Sequence, residues 1–150
     1  MPRNILECLS PDLAQIVERA TGCEQRRLCA PICKLAIERT DLNEPLISNA
    51  VNSLEKGALS DKALTAELQN LVDTLDLAYF AAQERYEEGK GDKEAFVALF
   101  RKARAAEAVL GAFKDDAFLA ASSSIYEASS ALDDVAEVED LVKSLLRQQS

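Results

Sequence analysis

A wholly helical fold, one domain of about six to seven helices built on a long antiparallel hairpin, is what this sequence predicts. Two repeated spacings and one absence lead there. Leu64, Leu68, Leu71, Leu75, Ala78 and Ala82 recur in steps of four and three, which keeps them on one side of a helix. Phe96, Leu99, Ala103, Ala106, Leu110 and Phe113 repeat the pattern after Gly89-Lys90-Gly91, and so short a connection returns the second helix antiparallel to the first. The β-branched residues are scattered and no alternation of apolar with polar persists, so strand signals are missing.

Each element has its own signals, and three segments follow from them: short helices over 1–58, the hairpin over 60–114, and acidic helices over 115–150. Ser10-Pro11-Asp12 starts a helix, with a capping hydroxyl, a proline at the first helical position and an acid in the first turn. It should run to about Ala20 and end at Gly22. A second helix over 24–39 turns Leu28, Ile32, Leu35 and Ala36 inward, and Pro31 should kink or split it. Asp41-Leu42-Asn43-Glu44 resembles a capping box opening a third helix, with Leu46, Ile47, Ala50, Val51 and Leu54 on one stripe and Gly57 closing it. These three are expected to pack across the hairpin. Ser60 should cap the first long helix, and the return helix should start near Asp92. All eight aromatics, Tyr79 to Tyr126, lie in or just after the hairpin, so the bulk of the core is expected there. Residues 117–132 form a run rich in Ala and Ser, side chains small enough for helices to approach closely, and Gly111 fits the same purpose. Asp133-Asp134 then opens a last helix with Val135, Val138, Leu141, Val142 and Leu145 inward.

At 150 residues the chain buries roughly 70% of the surface its unfolded form exposes, enough for one core. No apolar run follows Met1-Pro2-Arg3, so neither a signal peptide nor a membrane span is expected, and the reading is a cytoplasmic protein. Cys8, Cys23, Cys29 and Cys33 all fall early and do not space like a disulfide framework. They read as reduced, small buried side chains; an all-cysteine zinc site is the alternative. The net charge is −9, and it is unevenly placed. Residues 1–58 carry seven basic and eight acidic side chains, residues 59–150 ten and eighteen. Between Asp115 and Val142 there is no Lys or Arg at all.

The sequence holds no histidine, so His-assisted nucleophiles and Glu-x-x-His iron sites are excluded. Its five glycines are dispersed, which excludes a phosphate-cradling loop. The basic clusters Arg26-Arg27 and Arg101-Lys102-Arg104 lack interleaved aromatics, so they point to ion pairs, at the surface or against the acidic C-terminal segment, rather than to nucleic acid. Two carboxylate pairs remain. Glu84-x-x-Glu87 and Glu137-x-x-Asp140 each place two acids on one helical face, and their convergence would hold Mg²⁺ for phosphate chemistry. The arrangement resembles the all-α nucleotide pyrophosphohydrolases, whose pairs lie closer together in sequence.

The acid-rich C-terminal stretch is the feature that bears most on function. Asp115, Asp116, Glu127, Asp133, Asp134, Glu137 and Asp140 would speed encounter with a basic protein, and Tyr126 among small neighbours is the candidate anchor. In general character the chain resembles the small all-helical bacterial immunity proteins. That resemblance implies a non-enzymatic, cofactor-free inhibitor that blocks a cognate toxin in a one-to-one complex through its acidic surface. The alternatives are a helical adaptor that homodimerises through the hairpin seam, and the Mg-dependent pyrophosphohydrolase.

Overall fold

The computed structural model describes residues 4–57 and 61–148. They contain seven α-helices, one short 3-10 helix and no strand. The 3-10 helix, Ile5–Cys8, was not foreseen from the sequence; Asn4 caps it and also donates from its side chain to the Ala14 carbonyl at 3.1 Å.

Capping chemistry sets most boundaries, and it moves three of the expected ones. Helix α1, Pro11–Arg19, starts where Ser10 Oγ accepts the Leu13 amide at 3.2 Å. Thr21 and Glu24 then form a reciprocal capping box, so Gly22, expected to stop α1, is instead the first residue of α2, Gly22–Thr40. Asp41, expected to open the third helix, ends α2 with a left-handed φ of 55°. Helix α3, Pro45–Glu55, follows Glu44 with no side-chain cap, started by the fixed φ of its proline. Ser60 lies outside the described residues; Asp61 caps α4, Lys62–Glu87, by accepting the Leu64 amide at 3.0 Å. Gly89, at φ 77°, turns the chain, and Asp92 caps α5, Lys93–Gly111. Asp116 caps α6, Ala117–Leu132, and Asp134 accepts the Glu137 amide at 3.1 Å to open α7, Val135–Gln148.

Pro31 does not split α2. An interior proline costs about 3 kcal/mol, whereas burying Leu28 and Ile32, both wholly inaccessible here, contributes about 1.5–3 kcal/mol each. The helix is held by what it packs on. Along its length α2 lies against α5 and α6, so it is a central element rather than one of three short helices laid across the hairpin.

The core is likewise displaced from where the aromatics suggest. Helix α4 buries only Leu68 and Val72 among its described residues, and Phe113 is the one buried aromatic. The centre is the α2–α5–α6 contact, built from Cys29, Cys33, Ala36, Ala105, Ala108, Val109, Ala121, Ser124, Ile125 and Ala128. Small side chains let the backbones approach, and close packing replaces bulk. At Gly111 a Cβ would lie 2.8 Å from Ser123 Cβ, so α5 and α6 meet only because position 111 has none. One carbonyl ties all three helices: Ala108 O accepts from Ser124 Oγ at 2.9 Å and from Cys33 Sγ at 3.5 Å. Helix α1 rests on the 3-10 helix, α6 and α7, and no described helix is long and apolar enough to cross a membrane.

Candidate functional site

Helices α4 and α6 flank α5 and leave a groove of about 860 Å³ along it. Its floor is Glu107, Leu110 and Gly111 of α5; Thr65 and Gln69 form the α4 wall, and Leu119, Ser123, Tyr126 and Glu127 the α6 wall. Lys114, Asp115 and Asp116 of the α5–α6 turn close one end, with Ile5 beside them. That turn is pinned from behind, because Arg26 on α2 donates to the Lys114 carbonyl at 2.7 Å and to the Asp115 carbonyl. Lys114 Nζ reaches across to Ser123 Oγ at 2.8 Å.

The groove therefore gathers four of the eight residues singled out from the sequence: Asp115, Asp116, Tyr126 and Glu127. Their roles differ. Asp116 is engaged in capping α6, while the Asp115 carboxylate has no hydrogen-bond or ion-pair partner among the described residues. Glu127 is held by Arg104, whose Nη1 lies 3.0 and 3.2 Å from the two carboxylate oxygens. The other four residues do not line the groove. Asp133 and Asp134 form the α6–α7 turn, Glu137 on α7 pairs with Arg39 at the end of α2, and Asp140 is exposed. The continuous acidic face expected from the sequence is thus two patches, each partly spent on an internal ion pair, Glu127 with Arg104 and Glu137 with Arg39.

Two residues that the sequence reading did not single out, Asp76 and Glu107, complete the groove's electrostatics together with Arg104, whose basic cluster was expected to form ion pairs and does so with Glu127 of the acidic C-terminal segment. Arg104 forks between Glu127 and Asp76 of α4, with Nη2 3.0 Å from Asp76 Oδ1. Glu107 sits one turn further along α5, makes no ion pair, and has one oxygen, Oε2, closed off from solvent with no hydrogen-bond donor. Arg104 Nε is also buried without a partner. Three carboxylates against one guanidinium leave a local excess of two negative charges. Burial raises the Glu127 carboxyl above its ordinary range; Arg104 pulls it down, and Glu107 adds to the rise. Burial lowers the Arg104 guanidinium, but Glu127 and Asp76 together outweigh it and the net displacement is upward. A signal for these residues did exist. Arg104 and Glu107 are the only charged residues in the run from Ala103 to Phe113, where every other side chain is apolar or absent.

The remaining motifs are not assembled. Glu84 and Glu87 are exposed toward the hairpin turn, Glu137 is engaged by Arg39, and no group of three or more Cys, Asp or Glu among the described residues is placed to hold a metal. The four cysteines are free, with Cys8 and Cys23 exposed and Cys29 and Cys33 buried. Burial pushes the Cys29 thiol up to about 11 and Cys33 further still, so both behave as neutral core side chains. Compared with family models, with curated proteins and with solved structures, the chain matches none.

Proposed function

We propose that this chain acts by binding a basic protein rather than by transforming a substrate, as a cytoplasmic inhibitor of the immunity-protein kind that occludes a cognate toxin domain. The observation that carries this reading is the groove, where Asp115, Tyr126, Glu127 and Glu107 combine negative charge with an aromatic and with exposed Leu119. Carboxylates at a rim speed encounter with a positive surface, and a few apolar or aromatic side chains in a cleft supply the grip. A net charge of −9 supports the same partner chemistry and opposes nucleic acid.

The test is co-expression with the product of the neighbouring gene. Relief of that product's growth arrest, with a one-to-one complex on light scattering, is the expected result, and Asp115→Lys combined with Asp140→Lys should weaken association at least about tenfold. A solitary locus with no toxin-bearing neighbour counts against the proposal.

A second reading, an adaptor that self-associates through the hairpin, has its own observation: on α4, Leu77 is 70% exposed, Phe80 59% and Tyr86 42%. A mass of twice 16.4 kDa in light scattering would favour it.

A further inference from the structure

We propose that the groove over α5 is a socket for one arginine side chain of the partner protein, with Glu107 as its counter-ion and the Tyr126 ring as its wall. The inference rests on the protein-binding reading and adds which contact anchors it. Glu107 is the starting point. A carboxylate oxygen shut away from water with no donor is a cost to the free protein, one that a glutamine or an apolar side chain of similar size would reduce. Asp76 and Glu127 leave it unrelieved, because Arg104 is already divided between them and lies beyond ion-pair distance of Glu107. An incoming cation in the groove supplies the missing charge at the carboxylate's other oxygen, Oε1, which is not closed off.

The walls decide which cation. Leu110, Leu119 and Tyr126 present apolar and aromatic surface beside the carboxylates, which suits a planar, weakly hydrated guanidinium better than a strongly hydrated ammonium. The chain contains its own demonstration, since Arg104 forks between two of the same carboxylates with distances of 3.0 Å. Charge complementarity favours a partner over a second copy of this chain, whose own acidic surface would be repelled. A metal ion is disfavoured as well, because no three acids here converge at ligating positions among the described residues.

The experiment is an NMR titration of the full chain with three capped tripeptides, acetyl-Leu-X-Leu-amide, in which X is arginine, lysine or citrulline. Citrulline keeps the shape of arginine and lacks its charge. Saturable shifts at Glu107, Leu110, Ser123 and Tyr126 are expected with arginine, at least about tenfold weaker affinity with lysine, and none with citrulline. Glu107→Gln should lower the arginine-peptide affinity at least about tenfold and raise Tm by about 2–4 °C, because it removes the charge from an unpaired carboxylate with one oxygen closed off from solvent. The socket is refuted if Glu107→Gln binds the peptide unchanged, if its Tm falls, or if shifts at Asp133 and Asp140 equal those in the groove. The two proposals fail separately. A toxin domain that binds Glu107→Gln as tightly as wild type but loses Asp140→Lys removes the socket and leaves the protein-binding reading standing. An arginine peptide that seats on Glu107 while no toxin domain associates with wild type does the reverse.

Discussion

The α2–α5–α6 centre and the α4 arm are both amphipathic helical assemblies, yet they are held by opposite means. At the centre the contact surfaces are mostly alanine, serine, cysteine and glycine, individually small, with Leu28, Ile32, Val109 and Ile125 set among them, and most are wholly inaccessible. The arm carries leucines and aromatics, among them Leu77, Tyr79, Phe80 and Tyr86, and leaves most of them partly or largely exposed. Tyr79 meets Phe100 at 5.2 Å between ring centroids, and Tyr86 meets Phe96 at 5.1 Å, so tilted aromatic pairs join the arm to α5 beside the buried Leu68 and Val72. The lesson is that depth follows backbone approach, not side-chain size. A helix of small residues can be sandwiched between two others, whereas α4, a helix of large ones at the edge, lies mainly on α5 with a lesser contact to α3.

Substitutions should divide along the same line, and the largest effects belong to the centre. Ile125→Ala, at a wholly buried position on α6, is expected to cost about 2–5 kcal/mol in urea unfolding. Gly111→Val should cost about 1–3 kcal/mol or more, because its Cβ would meet Ser123 Cβ at 2.8 Å, and pairing it with Ser123→Gly should recover part of the loss. If Gly111→Val alone is neutral, α5 and α6 do not approach as closely as described. Alkylation of Cys33 gives a local check, since it should proceed only on the timescale of opening the centre while Cys8 and Cys23 react at once.

Ion pairs sharpen the contrast at smaller scale. Arg104→Met strands Asp76 and Glu127 beside Glu107 and should cost about 1–3 kcal/mol. That is less than a fully buried pair would cost, because the Arg104 side chain keeps 21% of its exposure. Lys34→Ala breaks an outer pair whose side chains are 55% and 42% exposed, and the loss should stay below about 0.5 kcal/mol. Equal losses would mean that the groove is wetter than its geometry implies.

The acidity of Glu127 supplies a pH signature for the same cluster. Its folded carboxyl titrates above its unfolded value, so the folded state holds the extra proton between the two. Glu127's contribution is therefore greatest below the ordinary glutamate range and is lost as pH rises through the raised folded value. Stability measured by urea unfolding across that window should decline in wild type, and the decline should flatten in Glu127→Gln. A wild-type curve that rises there instead, with Glu127→Gln removing the rise, would mean that Arg104 outweighs burial.

How much of this was legible in the sequence depends on whether a feature is local. The all-helical class, the hairpin, the 117–132 helix and the close approach at Gly111 follow from spacing, caps and composition, and the structure has them. Pro31 and Gly22 were misread because a local breaker signal was outweighed by burial in one case and by a reciprocal cap in the other. The position of the core was misread because eight aromatics imply bulk, while nothing in a run of alanines says that two partners cover it. At the groove, Asp115, Asp116, Tyr126 and Glu127 were visible as an acid-rich segment, but Asp76 and Glu107 join them only through packing across α4 and α5. Arg39 taking Glu137 is likewise a contact between distant segments that no spacing encodes.

The arm offers a small effect and the cleanest way to break the comparison. Leu77→Ser together with Phe80→Ser changes the two most exposed large apolar side chains in the described structure. If α4 is an outer layer covering one side of α5, both residues have little buried area to lose, and the double variant should unfold within about 1 kcal/mol of wild type. A loss of 2 kcal/mol or more, on the order of a core truncation, would show that something covers this face in solution. A second copy would make that loss depend on protein concentration, because dissociation is then part of unfolding. A concentration-independent loss would instead place Leu77 and Phe80 inside the monomer's own core, and the division between a tight centre and an open arm would fall.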